Sequence, residues 1–160
     1  MRRWNIDVTA LILRLATGLI FIPHGWSKVA GEGGASAFAA DVAANYGIPA
    51  ALGYVAAYAE LFGAGLLILG LLTRLDAFLL ASTMFVAAFV VQLKDALYEV
   101  PPGSIKLFVA LRGIELPLAM FALALGVLLL GGGRYSLDSL LGWEERLLRK
   151  KKAAAEAAAS

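Results

Sequence analysis

The sequence contains no cysteine, which excludes disulfides within the chain, thiolate-held iron–sulfur clusters and thiol exchange by its own side chains. It has one histidine. A lone imidazole does not make a zinc site, which takes about three or four protein ligands, and it cannot supply paired haem ligands, so neither metal nor haem is expected. Charge is also scarce: Asp, Glu, Lys and Arg make up 16% of the chain, against about 25% in soluble domains. The net charge of +2 comes from basic residues gathered near the chain ends, so nucleic acid is not implied. What is abundant is apolar surface, with 61% hydrophobic residues and a mean hydropathy of +0.79. That composition is an integral membrane protein's.

The hydrophobic runs predict an all-α antiparallel four-helix bundle with spans at about 8–28, 50–73, 75–93 and 107–130, each near the ~20 residues that cross a bilayer core. Arg2 and Arg3 precede the first run, and no small-residue cleavage site follows it, so an uncleaved first helix is expected rather than a signal peptide. Between the first two spans, Phe38, Val42 and Tyr46 recur every four residues between glycine-rich and Gly-Ile-Pro breakers. This predicts a short interfacial helix, a lid or collar over the bundle. The brief Thr73–Asp76 connection makes the second and third spans antiparallel neighbours, and Pro101-Pro102-Gly103 marks a loop. After Gly131–Gly133, Leu137, Leu140, Leu141, Leu147 and Leu148 share one side with Arg146 and Arg149 to Lys152 nearby, predicting an amphipathic helix over 136–152 and a low-complexity tail over 153–160.

Four spans put both termini on one side. Arg2, Arg3, Arg74, Arg134, Arg146 and Arg149 to Lys152 gather there, whereas the opposite loops mix Lys28, Lys94, Lys106 and Arg112 with acids. The positive-inside rule then expects cytoplasmic termini in a bacterial or archaeal cytoplasmic membrane.

Ionisable residues within spans are costly, about 2.5–3.5 kcal/mol each on insertion scales, and usually face one another or a cavity. Helical rise places His24, Lys28, Gln92, Arg112 and Glu115 toward the outer ends of three spans and Glu60 near the midplane. These residues, with Tyr58 among the aromatic candidates for a wall, form the expected site in the outer half. His24, Lys28 and Glu60 are the candidates for proton handling and charge stabilisation, and Arg112, Glu115, Gln92 and Tyr58 for ligand contact. The structural alternatives are a snorkelling Lys28 and Arg112, a Glu60 in a plain ion pair, and a His24 bonded to Glu115 or to a loop carbonyl. Arg14, deeper on the first helix, is expected to be a helix-to-helix pin reaching Glu60 or, preferably, Asp138.

The segments LRLATGLIFIPHGWSK, AELFGAGLLILGLLTR and GRYSLD, taken in order, resemble the DoxX family of small four-helix membrane proteins over about Leu11 to Asp138. The most specific pieces are His24-Gly25 with Lys28, Glu60 followed by Gly63 and Gly65, the Gly70–Arg74 turn, and Tyr135–Asp138. The resemblance implies membrane redox work. A related subunit belongs to an archaeal thiosulfate:quinone oxidoreductase, and a mycobacterial member resembles a hub joining superoxide dismutase to a sulfurtransferase-like enzyme.

The expected function is therefore a redox-associated subunit that binds a quinone or similar amphipathic ligand and works with a partner redox protein, in contact with membrane lipid. Lacking cysteine and any haem-ligation pattern, the chain is not assigned catalysis of its own; any enzymatic role is expected to be that of a non-autonomous subunit of a quinone-linked oxidoreductase. Two alternatives stay open: a scaffold recruiting soluble redox enzymes through the basic tail, and a small proton-coupled carrier, which would require a homo-oligomer.

Overall fold

The computed structural model describes residues 2–98 and 105–142. Within them the chain is all-α. The spanning helices are α1 (Arg2–Ala30), α3 (Ala50–Leu69), α4 (Thr73–Tyr98) and α5 (Lys106–Leu130); α2 (Gly34–Tyr46) lies between the first two, and a single turn, α6 (Leu137–Leu140), follows the last. All four long helices are apolar enough to cross a membrane, and the protein is a multi-pass membrane protein. The Pro101–Gly103 loop, residues 143–152 of the amphipathic helix predicted over 136–152, and the 153–160 tail lie outside the described residues; the described part of that helix is the single turn Leu137–Leu140, followed by a turn at Gly142 with φ 64°.

Helix ends follow local chemistry. The second span stops at Leu69, short of Thr73, because Gly70 turns left-handed at φ 71° and Leu72 follows at φ 52°. The third continues past Leu93 to Tyr98, so Lys94 and Asp95 are helical. In α3 and α4 the regular winding is interrupted by π-helical segments, Ala59–Gly63 and Ala87–Gln92. Such segments widen the turn and change which side chains face a neighbour.

The four spans form a ring in the order α1, α3, α4, α5, in which α1 also packs on α5. Their common core is built from Phe21, Leu67, Leu80, Met84, Met120 and Val127, with small Ala64, Ala77, Ala81 and Ala124 letting the backbones close. Lipid-facing positions are large and apolar, and Trp4 and Trp26 stand out from opposite ends of α1, as interfacial anchors do. Helix α2 buries Ala35, Ala39 and Val42 against α3 and α1, the lid-like position expected of it. Its far end is tied to α4: the Tyr46 hydroxyl donates to Asp95 Oδ2 (2.7 Å), and Lys94 Nζ donates to the Asn45 carbonyl (2.7 Å).

Candidate functional site

Gly25 brings α1 and α3 together. A Cβ at this position would collide with the Leu61 backbone nitrogen and lie 2.6 Å from its Cα, so only glycine permits the approach. The approach falls on the π-helical segment that carries Glu60. One turn further out on α1, Lys28 reaches across and its ammonium pairs with Glu60 Oε1. Glu60 is 1% exposed and Lys28 21%. The other carboxylate oxygen, Glu60 Oε2, is buried and has no hydrogen-bond partner among the described residues. Lys28 also lies over the Phe38 ring of α2, 4.9 Å from its centroid, so the lid helix covers the pair.

Of the residues predicted for the outer-half site, the structure brings Lys28 and Glu60 into contact and leaves His24 on the same side of α1, one turn inward of Lys28 and half-buried. The His24 imidazole has no hydrogen bond to a described residue; its carbonyl accepts from Ser27 Oγ. Gln92 is half-buried at the end of the α4 π segment. The wider convergence does not occur. Tyr58 is 44% exposed and stacks on Phe62, because two residues along a helix turn it about 200° away from Glu60. Arg112 and Glu115 face outward from α5 in a shallow groove walled by their own helix, with Phe108 and Leu118 beside them. The inward face of α5 is Ala110, Ile114, Pro117 and Met120, so helical phase turns the two charges away from the bundle.

At the end of the bundle where α1 begins, Arg14 is fully buried and is a pin, with no direct ion pair among the described residues. Its guanidinium donates to the carbonyls of Gly132 (2.6 Å), Tyr135 (3.0 Å) and Ile68 (3.4 Å). The expected Arg14–Asp138 pair is corrected accordingly: both Asp138 oxygens are taken by backbone donors at the start of α4, Leu72 N–H and Thr73 N–H, each at 2.8 Å. Those amides are the unsatisfied donors of a helix N-terminus, and a carboxylate is their best partner. The same turn needs Gly70, whose added Cβ would meet the Arg14 guanidinium and lie 2.7 Å from Ser136 Cβ. The Gly70–Arg74 and Tyr135–Asp138 segments are thus two halves of one joint that closes the bundle's inner end.

Sequence reasoning missed Asp76 as a buried group. Asp76 is enclosed beside Gly63, one oxygen without a partner among the described residues, and the Thr17 hydroxyl is likewise buried with no partner among them. An acidic residue in the first turn of α4 signals a helix N-terminus; nothing local signals its burial.

These features define a small multi-pass α-helical membrane protein with a lidded, half-satisfied charged pair in its bundle. The chain belongs to the DoxX family, whose model matches residues 9–93, from α1 through the π segment of α4. Among curated proteins it is similar to "Putative oxidoreductase CatD" of Bacillus subtilis (strain 168), at 38% identity over 90 residues. That alignment covers 56% of this chain and 64% of the relative, so the chain spans somewhat less than two thirds of the relative's length. No solved structure was found to match.

Proposed function

We propose that this protein is a redox-associated membrane subunit that takes a quinone, or an amphipathic ligand of like chemistry, against Glu60, Lys28 and His24 and works with a partner oxidoreductase. The observation that carries this reading is Glu60: a carboxylate 1% exposed, one oxygen on Lys28 and the other without a partner among the described residues. An unmet acceptor of this kind costs about 1–3 kcal/mol or more, and proteins retain such costs mainly at sites of function. The residues suit the ligand. The free Glu60 oxygen can accept from a quinol hydroxyl, the Lys28 ammonium can stabilise negative charge on a carbonyl oxygen, and the imidazole of His24 can donate or accept a proton at one nitrogen. A bound quinone supplies two-electron, two-proton chemistry; the chain's own part is to hold the head group and pass protons between it and Glu60. The relative's printed name supports a redox setting. With no cysteine in the chain, electrons come from the partner. The excess of Arg and Lys at the end of the bundle that carries both termini supports a cytoplasmic position for them.

The test is solvent extraction and mass spectrometry of the protein purified in mild detergent, with thermal melts in the presence of a short-chain quinone. A co-purified quinone, and a stabilisation by the added quinone that Glu60→Gln and His24→Ala abolish, are expected. Absence of both the molecule and the stabilisation would overturn the reading.

A further inference from the structure

Arg112 and Glu115 stand one turn apart on the outward face of α5, exposed, with no ion pair or hydrogen bond to a described residue. Counting 1.5 Å per residue from Leu130 at the inner end of α5, Arg112 lies about 27 Å and Glu115 about 22 Å up a hydrocarbon layer of ~30 Å. Arg112 can extend its long side chain to the interface. Glu115 is deeper and shorter, and a carboxylate turned toward lipid there is unfavourable. Directly inward of it, Ala119 and Ala122 lie exposed in the same groove, one turn apart. Small side chains on an exposed helix face let a second helix come close.

We propose that this face of α5 is the contact surface of a parallel two-fold dimer, in which Arg112 of each copy pairs with Glu115 of the other across a seam closed by Ala119 and Ala122. Charge complementarity selects this occupant. An axis along the membrane normal places equal residues at equal depth, so one rotation makes both pairs at once. A lipid phosphate would meet Arg112 but would repel Glu115, leaving the costlier group unpaired. The dimer stands independently of the quinone reading, since no residue of the Lys28–Glu60 site takes part.

Because the chain has no cysteine, single-cysteine variants report contacts cleanly. Ala119→Cys in the full-length protein, oxidised in liposomes, is expected to form a disulfide-linked dimer, whereas Leu19→Cys on the lipid face of α1 is not. In the Ala119→Cys background, Arg112→Glu or Glu115→Arg alone should cut the crosslinked fraction about tenfold, a loss of about 1.4 kcal/mol of association, and the two together should restore it. Thermal melts confirm that each variant is folded, and the otherwise unaltered Ala119→Cys protein tests the contact without any charge change. A monomeric Ala119→Cys protein would overturn the proposal. So would loss on Arg112→Glu with no recovery in the charge-swapped double variant, the result expected of a lipid-phosphate site.

Discussion

Replacing Lys28 with Met separates a working charged pair from a decorative one. The substitution keeps the apolar stem against Phe38 and removes the only partner, among the described residues, of a carboxylate that is 1% exposed. Removing one member of a buried pair costs about 3–5 kcal/mol because the remaining charge is left uncompensated. Lys28 is itself 21% exposed, so the lower end, about 3 kcal/mol, applies, water being able to reach part of the gap. For a chain of this size each kcal/mol moves the melting temperature by about 2–4 °C, giving a fall of roughly 6–12 °C. Glu60→Gln in the Lys28→Met background removes the stranded charge and should recover all but about 1 kcal/mol. Melts of the wild type, both single variants and the double variant in one detergent complete the cycle. If Lys28→Met costs less than about 1 kcal/mol, or the double variant is as unstable as Lys28→Met alone, Glu60 is solvated and the reasoning from its burial fails.

Other perturbations test the joints around the site. Asp138→Ala removes two hydrogen bonds from a carboxylate to backbone amides, each about 1.5–3 kcal/mol, and releases Leu72 from its left-handed conformation; a loss of about 3 kcal/mol or more is expected in a melt, and a loss below about 1 kcal/mol would show that the inner joint does not depend on that carboxylate. Gly25→Ala drives a methyl into the Leu61 backbone and should destabilise by about 3 kcal/mol, the upper end for overpacking, since backbone cannot rotate away; an unchanged melting temperature would show that α1 and α3 separate readily. The Tyr46 hydroxyl, bonded to Asp95, has its pKa raised to about 12 from the ordinary 10. A raised folded-state pKa means that the bond's contribution is intact below about pH 10 and is lost as pH climbs toward 12, so tying of α2 to α4 should weaken across that window. Phenolate absorbance of the other tyrosines removed by difference against Tyr46→Phe reads this directly, and a Tyr46 midpoint near 10 would refute it.

The class of protein, the four spans and the short helix between the first two follow from the sequence alone, because hydropathy and chain breakers act locally: Gly70 ends a helix and an apolar run of about 20 residues spans a bilayer wherever the rest of the chain lies. Glu60 could likewise be singled out from depth and charge, and Lys28 could be placed at its end of the membrane. Which charges meet was a different matter. It depends on helix rotation, and the π segment at Ala59–Gly63, invisible in the pattern of residues, sets the side of α3 on which Glu60 emerges toward Gly25 and Lys28. Arg112 and Glu115 were expected in the same half of the bundle as that pair but point away from it, since depth counts residues and facing counts angle. Asp138 reaches Thr73 from 65 residues away, and only the docking of the chain after α5 onto the α3–α4 turn decides that its carboxylate caps a helix while Arg14 spends its donors on carbonyls. Local rules identify groups that need partners, and tertiary packing chooses the partners.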